Sequence, residues 1–557
     1  MKALKKYKIS IENTGVEKAY PFGTTLKEII EDQRLDIGED ILGAMVNFTL
    51  KELDYMVYKP KTVNFIGYSH PEGRRMYERS LSMVLFKALY DLYPQYFLKI
   101  EHSVQGGLYC EIDGVEETVD FYSLVDTLKG RMQEIIDKDI PFEREELKTK
   151  EALKIFEEFG LKDKCILIKT RRQFYSSVYK LENVVNYFYG YLVPSTGYLK
   201  NFNLIKYLDG MLLVLPKSDN PKELEPVIER KKIFEIYQEF KDWVDIIGVP
   251  NVGRLNELVL EKRVGDIIKI SEALQEKKVA CIAEKIHAKE TARVVFISGP
   301  SSSGKTTFAK RLGVQLAVIG FKPVVISMDN YFVDREKTPR DENGNYDFES
   351  PEALDLKLFN ENIMDLIDGK EIDVPKFSFS EGKRFYDGTK LKLADNGIII
   401  VEGIHGLNPK ISQSIPEERK FKVYVSALTP LNIDSNNRIP TTDNRLIRRM
   451  VRDAKYRGYS ALETLQRWPS VRAGEEKHIF PYQENADMMF NTALTYELGV
   501  LKHWAIPLLR DVPPDVPELS EAKRLLKFLS YFVSIGDKEI PPTSILREFL
   551  EGSSFNY

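Results

Sequence analysis

Residues Gly299-Pro300-Ser301-Ser302-Ser303-Gly304-Lys305-Thr306 fit the pattern G-x-x-x-x-G-K-S/T, between the apolar run RVVFIS and the helix-like run TTFAKRLGVQL. No other feature constrains the fold as strongly. A chain that leaves a strand through such a turn and enters a helix at once is built for an α/β architecture. The β-branched runs that follow (PVVISMD, NGIIIVEG, FKVYVSA) alternate with helical patterns, which predicts a mostly parallel sheet covered on both faces. The glycines let the backbone turn tightly and aim N–H groups inward, and the helix N-terminus adds partial positive charge. Lys305 can reach β- and γ-phosphates, and the Thr306 hydroxyl can ligate Mg²⁺. The reading is an NTP site, with Gly299, Ser301, Ser302, Ser303, Gly304, Lys305, Thr306 and Thr307 as its ATP-binding residues.

Two carboxylates end strand-like runs downstream. Asp329 closes PVVISMD, and Glu402 follows GIIIV. In a parallel sheet the carboxyl ends of the strands face the ligand crevice. Asp329 there can accept a proton from an attacking hydroxyl or hold Mg²⁺, and Glu402 can make a second, water-mediated metal contact. Further on, Arg445, Arg448, Arg449 and Arg452 fall at helical three- and four-residue steps, followed by Arg457. They read as a guanidinium stripe that closes over phosphates, or as a solvated basic helix. His405 and His478 have no metal-ligand partners at useful spacing and read as local loop residues.

Composition narrows the rest. At roughly 150 residues per domain, 557 residues predict about three or four domains. Lys+Arg at 80 against Asp+Glu at 84 gives a net charge of −4, which argues against a dedicated nucleic-acid binder. Cys110, Cys165 and Cys281 lie too far apart in sequence for a disulfide framework or a Cys-cluster zinc site. No apolar run reaches the roughly 20 residues of a membrane helix, and MKALKKYKISIENTG lacks a signal-peptide core. A cytoplasmic chain with no membrane contact is expected.

Four segments follow from the patterning. Residues 1–62 read as a small α+β unit, with KYKISIEN as a half-buried strand and a Thr25/Glu28 capping box opening a helix. Residues 63–221 carry the helical run RSLSMVLFKALYDLYP, then LYCEIDG, KCILIKT and DGMLLVLP as strands, and the turn-rich linker KSDNPKELEP follows at 217–226. Residues 222–290 read as a solvated helical linker broken at GVPNVG, and 291–557 as the P-loop domain.

The motifs GPSSSGKTT, SMDNYF, DFESPEALD, VEGIHG and RRMVRDAKYRG, in that order, resemble the uridine kinase and phosphoribulokinase family of P-loop kinases. The resemblance implies an ATP- and Mg²⁺-dependent phosphotransferase with Asp329 as catalytic base beside Lys305, and Thr306, Asp329 and Glu402 around Mg²⁺. It implies Glu349 at the ribose hydroxyls and Arg449, Arg452 and Arg457 in a lid over the phosphates. The pyrimidine-contact stretch departs from the family: in Phe377-Ser378-Phe379-Ser380-Glu381-Gly382-Lys383-Arg384, only Arg384 stands as expected for substrate. Tyr459 replaces a usual lid arginine, and EGIHG is closer to the phosphoribulokinase version.

Residues 1–62 resemble the TGS domain of threonyl-tRNA synthetase, and 63–221 its editing-type domain. The latter's metal-binding and deacylation positions hold Arg79, Met83, Phe188 and Leu192, so neither zinc nor hydrolysis carries over. Three functions stay open: phosphorylation of the 5′-hydroxyl of uridine or a related nucleoside, phosphorylation of a polyol or sugar phosphate, and an RNA-binding NTPase sensor that contacts RNA through residues 1–216. Related nucleoside kinases form homo-oligomers, which the resemblance extends to this chain as an expectation.

Overall fold

A computed structural model describes residues 5–104, 106–340, 344, 346–378, 381–429 and 431–556. Phe379 and Ser380 of the pyrimidine-contact stretch lie outside the described residues.

In the first unit the alternating run Lys6–Ile11 is a strand with Ile9 and Ile11 fully buried. It pairs antiparallel with Val16–Pro21 and parallel with Lys61–Ile66, which pairs antiparallel with Gly43–Val46. Helix α1 (Leu26–Gln33) opens with the expected capping box. The Glu28 N–H donates to Thr25 Oγ1 at 3.2 Å, and the Thr25 N–H donates to Glu28 Oε2 at 2.7 Å.

The second unit sets α2 (Pro71–Leu92) and α3 (Phe121–Asp137) in one core with a four-stranded antiparallel sheet of Phe97–Val104, Gly107–Asp113, Asn203–Tyr207 and Gly210–Val214. Beside it, α4 (Thr149–Glu158) and α5 (Lys162–Arg171) accompany a three-stranded sheet. The stretch KCILIKT, expected as a strand, lies in α5. A short apolar run fits a buried strand or one buried turn of helix equally well, and tertiary packing chose the helix. Met83, Phe188 and Leu192 are buried together in this unit's core, beside Arg79.

The segment expected as a solvated spacer is instead packed. Helices α6 (Lys231–Ile247), α7 (Val252–Leu260) and α8 (Val264–Ala288) bury Phe240, Val252, Leu255, Ile282 and Ile286. Most of these apolar positions join a core shared with α5 on one side and the P-loop domain on the other. Most charged residues face outward, Glu272 excepted; composition registers them, whereas the apolar stripe that does the packing is a matter of spacing.

The P-loop domain is a five-stranded sheet, entirely parallel, in the order Lys322–Ser327, Gly397–Glu402, Val294–Ser298, Lys420–Ser426, Met488–Asn491. Val294–Ser298 is buried at every position, as a central strand covered on both faces requires. Its helices are α9 (Lys305–Val318), α10 (Leu356–Ile367), α11 (Thr441–Tyr456), α12 (Ala461–His478), α13 (Glu497–Arg510) and α14 (Leu519–Leu529).

One loop of this domain, 432–438, plugs into the N-terminal half. Lys164 of α5 donates to Asp434 at 2.6 Å, with both side chains fully buried. Asn436 Nδ2 donates to the Leu98 carbonyl at 3.1 Å, and Arg438 Nη2 pairs with Glu78 at 2.6 Å. Burial raises the proton affinity of Asp434, and Lys164 opposes it. Removing one member leaves the other charge stranded without water, so Asp434→Ala is expected to cost roughly 3–5 kcal/mol. The double variant Lys164→Met/Asp434→Leu should recover most of that loss. Chemical denaturation of the three proteins checks this, and additive losses in the double variant would contradict it.

Candidate active site

The three strands that lead into the site run in parallel register, with Ile297 and Ser327 both opposite Glu402. Their carboxyl ends therefore bring the P-loop, Asp329 and Glu402 to one edge of the sheet. Gly299 is required by close approach: a Cβ there would lie 1.9 Å from the Val425 carbonyl oxygen. Gly304 takes the left-handed conformation at φ +83°, and α9 begins at the next residue.

The loop is held at several atoms of Ser301. Its N–H donates to Glu475 at 3.0 Å, its carbonyl accepts from Arg445 Nε at 3.0 Å, and its hydroxyl accepts from Arg449 at 2.7 Å. The Ser303 carbonyl accepts from the Thr492 hydroxyl at 2.6 Å. By contrast, the Ser302 and Ser303 hydroxyls are buried with no hydrogen-bond partner. Buried donors aimed into a loop of this form fit a phosphate that would satisfy them.

The charged groups around the loop are interdependent. Lys305 Nζ donates to the Pro300 carbonyl at 3.0 Å. Burial lowers its pKa, and Glu402 and Asp329 oppose that shift. Asp329, in the short 3₁₀ turn Met328–Tyr331, is pushed up by burial and held back by Lys305, Arg457 and Arg452. Glu402 rises to about 7 through burial and the neighbouring Asp329 charge, and it accepts a hydrogen bond from Ser327 at 2.8 Å. Glu349 also rises to about 7, through burial and then Glu475, opposed by Arg449 and Lys305. Its Oε2 is buried without a partner. The fold thus gathers Asp329, Glu402, Glu349 and Lys305 within electrostatic reach of one another.

Among the described residues, no cluster of three or more His, Cys, Asp or Glu forms a ready metal cage. Mg²⁺ takes one or two carboxylates, keeps several waters and is completed by substrate phosphates. Thr306, Asp329 and Glu402 supply oxygen donors of the right chemistry for such a partial site.

The arginine stripe divides. Arg449, Arg452 and Arg457 converge on Asp453 at 3.2, 3.0 and 3.5 Å and stay near the P-loop. Arg445 and Arg448 turn inward instead. Both are fully buried, Arg445 on Glu475 and Arg448 on Glu497 at 2.5 Å, so they brace the site from behind. Helical spacing placed all of them near one face, and only the partners Glu475 and Glu497 decide which arginines are withdrawn. Arg384 pairs with Asp355 at 2.9 Å.

His405, read from sequence as a local loop residue, and two groups that the sequence does not single out, Glu475 and Glu548, lie around the site. His405 faces His478, ring centroids 6.2 Å apart, and both His405 nitrogens are buried without partners. Glu475 sits in the last turn of α12 with nothing in its neighbours to mark it. Glu548, in a 3₁₀ turn far downstream, accepts from the Thr307 N–H at 3.2 Å and from the Thr307 hydroxyl at 2.7 Å. Pairings across such sequence distances leave no local signal.

Residues 294–498 match the model of the Phosphoribulokinase / Uridine kinase family. The chain is similar to a uridine kinase of Staphylococcus aureus, 29% identical over 35% of this chain and 86% of that protein. It is similar to uridine-cytidine kinase B of Dictyostelium discoideum, 27% identical over 35% of this chain and 73% of that protein. Its N-terminal region is similar to the threonine–tRNA ligase of Clostridium kluyveri, 32% identical over 36% of this chain. There the chain spans 31% of the ligase's length.

The Glu548 contact yields a prediction. The Thr307 N–H belongs to the first turn of α9, where free donors and the helix dipole favour a phosphate, and a carboxylate now occupies it. Glu548→Gln removes the competing charge. It should lower KM for ATP by about five-fold, or roughly 1 kcal/mol, with kcat little changed. Steady-state kinetics at varied ATP check this, and a raised KM would assign Glu548 a supporting role instead.

Proposed function

We propose that this chain, whose residues 294–498 form a domain of the phosphoribulokinase / uridine kinase family, transfers the γ-phosphoryl group of ATP to a hydroxyl of a small molecule. The observation that carries the reading is the convergence of Asp329, Lys305, Glu402 and Glu349 beside a P-loop whose serine hydroxyls lack partners. A bare NTPase needs no buried carboxylate such as Glu349 in addition to those that serve the phosphates; an acceptor site does. The preferred acceptor is the 5′-hydroxyl of uridine or a related nucleoside, supported by the uridine kinases among the relatives.

Asp329 takes the proton from the acceptor hydroxyl as its oxygen attacks the γ-phosphorus and the bond to the β-phosphate oxygen breaks, leaving ADP. Lys305 holds the β/γ oxygens. Arg449, Arg452 and Arg457, tethered by Asp453, stabilise charge on the transferred group. Glu349 anchors the acceptor's neighbouring hydroxyls. Thr306, Asp329 and Glu402 would hold Mg²⁺, which would supply charge neutralisation to the phosphates.

A second reading, phosphorylation of a polyol or sugar phosphate, is favoured by the engagement of Arg384 with Asp355. That pairing engages the residue that the resemblance assigns to substrate.

Asp329→Asn should reduce kcat by roughly 10²–10⁴-fold, and Lys305→Ala should abolish turnover, with both proteins folded. The assay is ADP release over a panel of nucleosides, polyols and sugar phosphates. Near wild-type turnover of Asp329→Asn on the true acceptor would refute the base assignment, and turnover of sugar phosphates alone would establish the second reading.

A further inference from the structure

Four buried polar atoms that meet no hydrogen-bond partner lie together beside the P-loop carboxylates. They are Oε2 of Glu349, both ring nitrogens of His405 and Nε2 of His478. Glu349 and His405 are each within electrostatic reach of Lys305. Two elements build this cluster. Helix α12 presents Gly474 and His478, one turn apart on the same face. Gly474 packs so closely on Glu349 that a Cβ there would lie 2.4 Å from the Glu349 Cβ. His478 meets the His405 ring edge-on, with centroids 6.2 Å apart. His405, only 2 % exposed, comes from the loop after the strand Gly397–Glu402, and that loop is fixed. Ser298 Oγ donates to the Ile404 carbonyl at 2.7 Å, and the Asn408 N–H donates to the His405 carbonyl at 2.9 Å. Gly403 packs on Met328, the residue before Asp329.

The neighbours of these atoms are already engaged. The Glu349 backbone approaches the His405 ring without completing a hydrogen bond. Glu352, whose charge reaches the same ring, accepts from Ser350 Oγ at 2.6 Å. Glu475 is taken by Ser301 and Arg445. A buried polar atom without a partner costs roughly 1–3 kcal/mol, so four in one neighbourhood mark a place that a ligand completes. Their chemistry narrows the ligand. Burial, then His478, push His405 down to about 3, and burial lowers His478 as well. A neutral imidazole offers one N–H donor and one acceptor nitrogen, and the Glu349 carboxyl offers acceptor oxygens. Neither ring carries a fixed positive charge, so the cluster does not suit a phosphate. Hydroxyls, each both donor and acceptor, match it.

We propose that Glu349, His405 and His478 form a diol subsite, in which His405 donates to one hydroxyl of the acceptor and Glu349 accepts from its neighbour, with His478 closing the subsite on the α12 side. This rests on the kinase reading and narrows it. The acceptor presents two neighbouring hydroxyls here, as a ribosyl group or a polyol does, and any phosphate it carries docks elsewhere. His405 then sets specificity, because an acceptor lacking one hydroxyl leaves a buried ring nitrogen unbonded, and sites built to hydrogen-bond a hydroxyl reject analogues without it.

Steady-state phosphorylation by the full chain tests this, comparing each acceptor of the nucleoside, polyol and sugar phosphate panel with its 2-deoxy counterpart, uridine against 2′-deoxyuridine first. Wild type should favour the hydroxylated acceptor by about ten-fold or more in kcat/KM, chiefly through KM. His405→Leu should bring that preference below about three-fold by raising KM for the hydroxylated acceptor, with KM for ATP unchanged. Leucine also removes two unpartnered buried nitrogens, so the melting temperature should hold or rise, which separates a binding role from a structural one. His405→Asn, which keeps a donor and an acceptor, should fall between the two. If His405→Leu retains the wild-type preference, or turnover is confined to acceptors without neighbouring hydroxyls, the subsite is overturned and the kinase reading stands. If no acceptor of the panel is phosphorylated, the kinase reading falls and the subsite with it. Should the leucine variant fail to fold, the 2-deoxy preference of His478→Phe decides in the same way.

Discussion

Two ions with no access to water, the Lys164 ammonium and the Asp434 carboxylate, coexist in one core because each neutralises the other across the join between the N-terminal half and the P-loop domain. That pair explains much of what surrounds it. It pins the 432–438 loop, which precedes α11, the helix that carries Arg449 and Arg452 and ends just before Arg457. With Asn436 on the Leu98 carbonyl and Arg438 on Glu78, the loop is bound on several sides. The start of α11 is also clamped by Arg524, which pairs with Asp443 at 2.6 Å. The position of α11 and its arginines is therefore set by both halves of the chain.

The active site is balanced in a similar way. Each carboxylate there is pushed toward protonation by burial and held back by a nearby cation, chiefly Lys305 and the arginines of α11. Behind them a rigid layer, Arg445 with Glu475 and Arg448 with Glu497, fixes the P-loop and the base of the lid without facing the ligand. Such a backing keeps reacting groups in register, where small displacements are costly.

Much of this was legible. The P-loop, the strands around it, Asp329 and Glu402 at strand ends, and the Thr25/Glu28 cap all depend on residues adjacent in sequence, and the structure places them as expected. KCILIKT was misjudged because a short apolar run carries no period long enough to tell strand from helix. The 222–290 segment was misjudged because its charged residues dominate its composition, whereas its fate depends on the spacing of the apolar ones. Arg445 and Arg448 were grouped with the lid because helical spacing gives a face, and only the partner across the interface says whether that face looks at ligand or at Glu475.

By itself the sequence determined the P-loop, the parallel sheet that presents it and the carboxylates at the strand ends, because each follows from bonded geometry and short-range periodicity. The tertiary structure alone decided that Glu548 lies on Thr307, that Glu475 holds Ser301 and that the linker is core. These are encounters between residues tens to hundreds of positions apart. Their energies come from burial and Coulomb interaction, which depend on distance in space and leave no trace in local order along the chain.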